Sequence, residues 1–338
     1  MNATTYAVDT AKNVMQLHWV DGCSGEIGRR KLSRAKFFDF FAQRHDCHVV
    51  MEACAGSHHL ARRLGAMGHC VELLPARQVR PFVCGNKDDA ADARAIWLAS
   101  RQPDIRRVAV KSEQQQSVLS LHRMRAHWMT VRTATINAMR ALLYEFGVVL
   151  PRGKALGLRT LAERRAEFDA QLPALMQRLV DQHLAALRQM DLEIKRLEAE
   201  LSGVQAGDDN ARRLRAVPGI GLLGATALSA TLGDAGGWRR AREFAAALGL
   251  TPRHTGTGGK VRIGSMTKRG DPYLRTLLVS GARSLLNSPS APSWAKQMLL
   301  RRPVNVVVVA LANKLARTAW AMVAHDRAFD RRWGCTAA

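Results

Sequence analysis

Acidic side chains are scarce in this chain, 28 Asp and Glu against 51 Lys and Arg, so their placement carries information. Asp9 follows the apolar run Tyr6-Ala7-Val8, and Glu52 follows Val49-Val50-Met51; each acid closes a short run of strand character. Asp88, Asp89 and Asp92 open a stretch of helical pattern, and Asp89 and Asp92, three apart, share a helix face. Four carboxylates brought together repel one another unless cations neutralise them, and clustered oxygen donors suit Mg²⁺ or Mn²⁺. Two such ions can activate an attacking oxygen and stabilise a leaving one at a phosphodiester. Taken singly, the acids have plainer readings: Asp9 as a strand-end residue, Asp88 and Asp89 as helix caps.

The elements that must hold these acids can be read from pattern. Thr5-Tyr6-Ala7-Val8, residues 14–19, 47–51 and 70–74 have strand character, and residues 37–44, 57–67 and 90–100 have helical character. Strands alternating with helices at this spacing predict an α/β domain over residues 1–105, a mixed sheet with helical cover. Residues 106–205 read as all-helical. In them Leu187, Met190, Ile194, Leu197 and Leu201 step by 3, 4, 3 and 4, a heptad seam that fits an internal helical hairpin or a coiled coil between subunits. A linker at 203–210 then opens a mainly α C-terminal domain, 206–338, interrupted by a glycine-rich basic stretch at 255–271.

The formal net charge is +23 and the basic residues run the length of the chain, from Arg29-Arg30-Lys31 to Arg331-Arg332. A chain this basic calls for a polyanion, and DNA or RNA is the commonest. The start carries no charged segment followed by an apolar one, so a secretory leader is not expected and the cytoplasm is the expected compartment. The apolar run 304–323 is broken by Asn305, Asn313, Lys314 and Arg317, and reads as a buried helix, not a membrane span. Six cysteines form no CxxC or Cys/His cluster and read as buried free thiols, with a metal site as the less favoured alternative.

These blocks together resemble one family. Ala7-Val8-Asp9-Thr10-Ala11-Lys12 resembles its opening strand, residues 51–57 its Glu-x-x-Gly strand-to-helix turn, and Asn86-Lys87-Asp88-Asp89-Ala90-Ala91-Asp92 its third block, whose last two acids lie three apart. Val217-Pro218-Gly219-Ile220-Gly221 resembles its PGIG turn, residues 249–253 and 268–278 its transposase core, and residues 310–317 its closing helix. The family is that of the DEDD insertion-sequence transposases, relatives of the Piv/MooV invertases and RNA-guided bridge recombinases, and the likeness is greatest to its eleven-eleven subgroup.

The resemblance implies an RNase H-like (RuvC-like) N-terminal domain with Asp9, Glu52, Asp89 and Asp92 as ligands of Mg²⁺ or Mn²⁺, and Asp88 as a neighbour only. It implies donor and target DNA as substrates and a guide RNA. A composite site made between subunits would need a joint, so the heptad seam is expected to pack against a partner helix of another subunit in a homo-oligomer, dimer or tetramer. Where the family carries a nucleophilic serine, this chain reads Thr257, to be activated by the metal site or by a nearby base such as His254, with Ser265 or water as the alternative nucleophile. Lys12, Lys87, Arg253, Lys260, Arg262, Lys268 and Arg269, with the backbone of Gly219 and Gly221, are the expected contacts to nucleic acid. Two other readings remain open at this point: a Holliday-junction-type nuclease in which water replaces Thr257, and a nucleic-acid-binding protein without catalysis.

Overall fold

The computed structural model describes residues 4–85 and 88–330 and divides into two compact units, residues 1–115 with 232–240, and residues 116–231 with 241–338. The first unit is built on five strands, β1 (Thr5–Thr10), β2 (Val14–Val20), β3 (Ile27–Ser33), β4 (His48–Glu52) and β5 (Cys70–Leu74), in the spatial order β3-β2-β1-β4-β5. β1 is central: it pairs antiparallel with β2 and parallel with β4, while β2–β3 is antiparallel and β4–β5 parallel. Helices α1 (Arg34–Ala42) and α2 (Ser57–Ala66) cover one face, α3 (Ala76–Val79) follows β5, and α4 (Asp89–Ser100) lies on the other face across β1, β2 and β4.

The period-2 alternation of side chains sorts these faces. Val8, Met15, Leu17, Leu32, Val49 and Met51 join Phe37 and Phe41 of α1 and Leu60 and Leu64 of α2 in one buried core. Ala7, Val50 and Leu74 point the other way, against Ala95, Ile96 and Ala99 of α4. The small residues let α4 lie close on the sheet. β3, a polar strand with three consecutive basic residues, was not foreseen; the strands and helices expected around it stand, with ends shifted by up to three residues.

The second unit is helical except for one hairpin. It contains α5 (Glu113–Tyr144), α6 (Lys154–Glu163), α7 (Arg165–Gln171), α8 (Ala174–Gly207), α9 (Asp209–Arg215), α10 (Leu222–Leu232), α11 (Ala241–Ala247), α12 (Pro272–Leu286), α13 (Ser293–Leu299) and α14 (Val304–Ala324), the ends of α5 and α10 reaching into the first unit. α5 and α8 run antiparallel. Arg125 bonds Glu198 at 2.7 Å and Arg132 bonds Asp191 at 2.7 Å, and Ile136, Met139 and Leu143 share a core with Leu187, Val180 and Met176. The heptad seam therefore packs in part within the chain, as in the helical-hairpin reading: Leu187, Ile194 and Leu201 are buried, while Met190 and Leu197 stay half-buried. The linker expected at 203–210 is also corrected, because α8 continues to Gly207 and Asp208 immediately caps α9 by accepting from the Ala211 N–H. α14 is long and apolar enough to cross a membrane by length and composition, yet most of it, including Lys314, is buried in this unit, as the sequence led one to expect.

Candidate functional site

Strand register decides where the acids go. Val8 pairs with Met51 across β1 and β4, so Asp9 and Glu52, one residue further on, lie side by side at the C-terminal ends of two parallel strands. By alternation they share a face with Ala7 and Val50, the face that α4 covers. On α4, Asp89 and Asp92 continue the stripe of Ile96 and Ala99 toward its N-terminus, so the helix delivers both acids to that end of the sheet. Asp88 stands outside this stripe as the N-cap, its carboxylate accepting from the Ala90 N–H at 3.3 Å.

The electrostatics register this convergence. The Asp9 carboxyl is pushed up from 3.8 to about 6, first by burial and then by repulsion from Asp92, Asp89 and Glu52; a hydrogen bond from the Thr10 N–H only partly offsets this. Burial, then Asp92, likewise raises Glu52. Among the described residues none of the four acids has an ion-pair partner, and no three His, Cys, Asp or Glu side chains are arranged to hold a metal ion as they stand. The donor set itself fits one: hard oxygen ligands only, with negative charge that the protein leaves uncompensated and a divalent cation would cancel.

One contact here had no signal in the sequence. The Thr10 hydroxyl and the Cys54 thiol lie 3.0 Å apart, joining the ends of β1 and β4 just beyond the two acids. Knowing that both strands end together would have suggested it, but that pairing is a tertiary fact. Cys23, Cys47, Cys54, Cys70 and Cys84 are free thiols, but only Cys47 is buried while Cys23, Cys70 and Cys84 are exposed, which corrects the expectation of buried thiols. Lys12 is exposed in the turn after β1, and Lys87 lies outside the described residues.

The glycine-rich stretch expected as a loop is a β-ribbon. β6 (Pro252–Thr257) and β7 (Lys260–Met266) pair antiparallel through Gly258-Gly259, whose φ values of 57° and 79° allow a two-residue hairpin of the type that matches strand twist. Gly-Gly between two runs of strand character was the available signal. The base of the ribbon is held by the Thr267 N–H, which donates to the Thr251 carbonyl at 2.9 Å, and the segment before it by the Arg275 guanidinium, which donates to the Leu248 carbonyl at 3.0 Å.

The ribbon has two faces. Thr257 opposite Lys260 and Thr255 opposite Arg262 form one; Gly256 opposite Val261 and His254 opposite Ile263 form the other. Thr257 thus shares its face with two cations, all of them exposed. His254 points from the opposite face, which corrects its expected role as the base beside Thr257. Ser265 falls in the irregular part of the register, far from the turn. Arg253, Lys268 and Arg269 are exposed around the base.

The Val217–Gly221 turn joins α9 to α10. Gly219 adopts a φ of 91° and packs against α12 so closely that a Cβ on Gly281 would lie 1.9 Å from the Gly219 carbonyl oxygen. Gly221 has open space beside it and lines a pocket of about 650 Å³ with Arg215, Ser280 and Ser284.

Comparison with known proteins agrees along the chain. Residues 8–148 match a DEDD transposase family model, and residues 211–298 match the model described as "Transposase IS116/IS110/IS902 family". A Pseudomonas aeruginosa protein named "Probable family 20 transposase" is 44% identical over 97% of this chain and 99% of its own length. The transposase for insertion sequence element IS1328 of Yersinia enterocolitica is 38% identical over 98% of this chain and 99% of its own length. The transposase for insertion sequence element IS1111A of Coxiella burnetii is 35% identical over 95% and 90% respectively. The acids ending β1 and β4 and opening α4 fall inside the first of these matches, the PGIG turn and the ribbon inside the second, and the chain belongs to the IS116/IS110/IS902 family of DEDD transposases.

Proposed function

We propose that this transposase cuts and rejoins DNA with Asp9, Glu52, Asp89 and Asp92 as the ligands of a divalent metal centre in an RNase H-like unit, and with the Thr257 hydroxyl as nucleophile. The observation that carries the reading is the placement of Asp9 and Glu52 side by side at the ends of two parallel strands, with Asp89 and Asp92 at the start of the helix that covers that face. The strand order β3-β2-β1-β4-β5, with the first strand central and acid-bearing, supports the RNase H-like assignment. Bound Mg²⁺ or Mn²⁺ supplies Lewis acidity at the scissile phosphate.

The chain's own residues do the rest. The Thr257 hydroxyl gives its proton to solvent and its oxygen forms a bond to phosphorus, while the bond from phosphorus to one sugar oxygen breaks and that oxygen takes a proton from water to leave as a strand hydroxyl. A strand hydroxyl then attacks the phosphothreonine, rejoining DNA and restoring Thr257. Lys260 and Arg262, on the same ribbon face, offset the phosphate's charge and favour the deprotonated oxygen. Target choice by a guide RNA from the element's non-coding end, and a dimer or tetramer, complete the reading; the net charge of +23 supports a large nucleic-acid load.

The test is denaturing capture of a protein–DNA adduct in Mg²⁺. Wild type and Thr257→Ser form it; Thr257→Ala and Asp92→Asn do not. An adduct formed by Thr257→Ala but lost in Ser265→Ala moves the nucleophile to Ser265. Cleavage without any adduct makes water the nucleophile, and full activity of Asp92→Asn removes the metal centre.

A further inference from the structure

The acid-bearing face of the sheet does not end at Asp9. Asp9 pairs with Gln16 on β2, and Gln16 pairs with Lys31 on β3, so Glu52, Asp9, Gln16 and Lys31 form one row across four adjacent strands. The next row toward the start of β1 is Ala7, His18 and Arg29. Two observations confirm that Lys31 and Arg29 face this way. Their neighbour Leu32 is buried in the opposite core, and Arg30, also of opposite parity, lies over the Phe40 ring there. Arg29 and Arg94 of α4 also act together on buried His18, holding its imidazole below its usual range after the larger effect of burial.

Strands in a sheet are 4.7–4.9 Å apart, so Gln16 stands about 5 Å and Lys31 about 10 Å from Asp9 along the row. Lys31, Arg29 and Arg94 are exposed and have no ion-pair partner among the described residues, although four unneutralised acids share their face. Cations left unpaired on the same face as acids suit an anion that runs past both.

We infer that Gln16, Lys31 and Arg29 form a phosphate track for the DNA strand being cut, carrying its backbone from the carboxylate centre across β2 to the sheet edge. The inference rests on the carboxylate reading above for its direction. Lys31 and Arg29 take the non-bridging oxygens of phosphates next to the scissile one, and the Gln16 amide donates to the sugar–phosphate between them. Such contacts fix register without reading sequence, which suits a protein whose target is read by base pairing.

The experiment is the salt dependence of binding to a fluorescein-labelled DNA duplex, measured in EDTA with the full chain. Each lost phosphate contact lowers the slope of log K against log salt by about 1. Lys31→Ala and Arg29→Ala each lower it by about 1, the double variant by about 2, and Lys31→Glu weakens binding further than Lys31→Ala. Lys36→Ala, an exposed cation on α1, leaves the slope unchanged. Circular dichroism melts establish that each variant is folded. An unchanged slope in the double variant overturns the track, as does an equal fall in Lys36→Ala. A fall with an RNA duplex but not with DNA overturns it as well. If the slope is unchanged and Lys31→Ala only self-associates, the cations merely protect an edge strand. Because the measurement contains no metal, its failure is separate from that of the metal centre, which is judged by cleavage with Asp92→Asn.

Discussion

Asp9 and Glu52 lie side by side on adjacent parallel strands, one residue past the Val8–Met51 pair; burial, then Asp92, Asp89 and Glu52, makes Asp9 harder to ionise, and burial, then Asp92, does the same to Glu52. The folded-state pKa of Asp9, about 6, lies above its ordinary 3.8. Its contribution to stability is therefore complete below about pH 4 and is lost as pH rises through about 6. Calorimetry of the metal-free protein should show Asp9→Asn melting higher than wild type at neutral pH, with the difference fading in acid. Adding Mg²⁺ should raise the melting temperature of wild type at neutral pH but not that of Asp9→Asn. A variant that melts lower than wild type at neutral pH would contradict this account.

His122 behaves in the opposite sense. It is buried, with Nδ1 2.9 Å from the Tyr273 hydroxyl and Nε2 3.0 Å from the Thr226 hydroxyl, and burial, then Arg125, lowers its pKa from 6.5 to about 4. The stability it contributes is present above about pH 6.5 and is lost as pH falls toward 4. His122→Gln should lower stability at neutral pH by about 1–3 kcal/mol, through imperfectly replaced buried hydrogen bonds, and should flatten the acid limb. Denaturant titrations at three pH values read both effects; an acid limb as steep as that of wild type would rule out His122 as its source.

Where the PGIG turn meets α12, Gly281 of the helix and Gly221 of the turn should respond differently. Gly281→Ala puts a methyl 1.9 Å from the Gly219 carbonyl oxygen, and overpacking of this kind costs about 1–3 kcal/mol or more. Gly221→Ala meets nothing within 4 Å and should leave the melting temperature close to that of wild type. Thermal melts of the two variants decide the matter, and equal losses would mean that the turn is not packed as described.

The ribbon turn offers a test of shape without chemistry. Gly259 has a φ of 79°, which asparagine tolerates and valine does not. Gly259→Val should shift the Thr257–Lys260 pairing and cut adduct formation at least tenfold, with the melting temperature unchanged because nearly the whole ribbon is exposed. Gly259→Asn should stay within a few-fold of wild type. Adduct yield on denaturing gels checks both, and full activity of the valine variant would show that the turn does not position Thr257.

Much of the carboxylate arrangement was legible because it rests on local rules: a residue closing an apolar strand, and an i, i+3 pair opening a helix. β3 escaped because its sequence, Ile27 to Ser33, centres on three consecutive basic residues with only Leu32 buried; an edge strand with one exposed face gives periodicity little to register. The seam at Leu187 to Leu201 was visible, but a heptad says only that a helix has a partner; Arg125–Glu198 and Arg132–Asp191 identify the partner as α5. The face occupied by His254 was hidden for a related reason. Read as a loop, residues 254–257 have no parity; paired as a strand, His254 and Thr257 are driven apart.

The first unit is not contiguous in the gene. Residues 232–240, lying between α10 and α11, belong to it, with Trp238 under the Arg106 guanidinium and Gly237 against Ala109. Hybrids spliced between related transposases near residue 115 would take Arg106 from one parent and Trp238 from the other. For such hybrids to fold, the two parents must agree at both positions, so exchange of whole halves between elements is open mainly to relatives that keep this stacked pair.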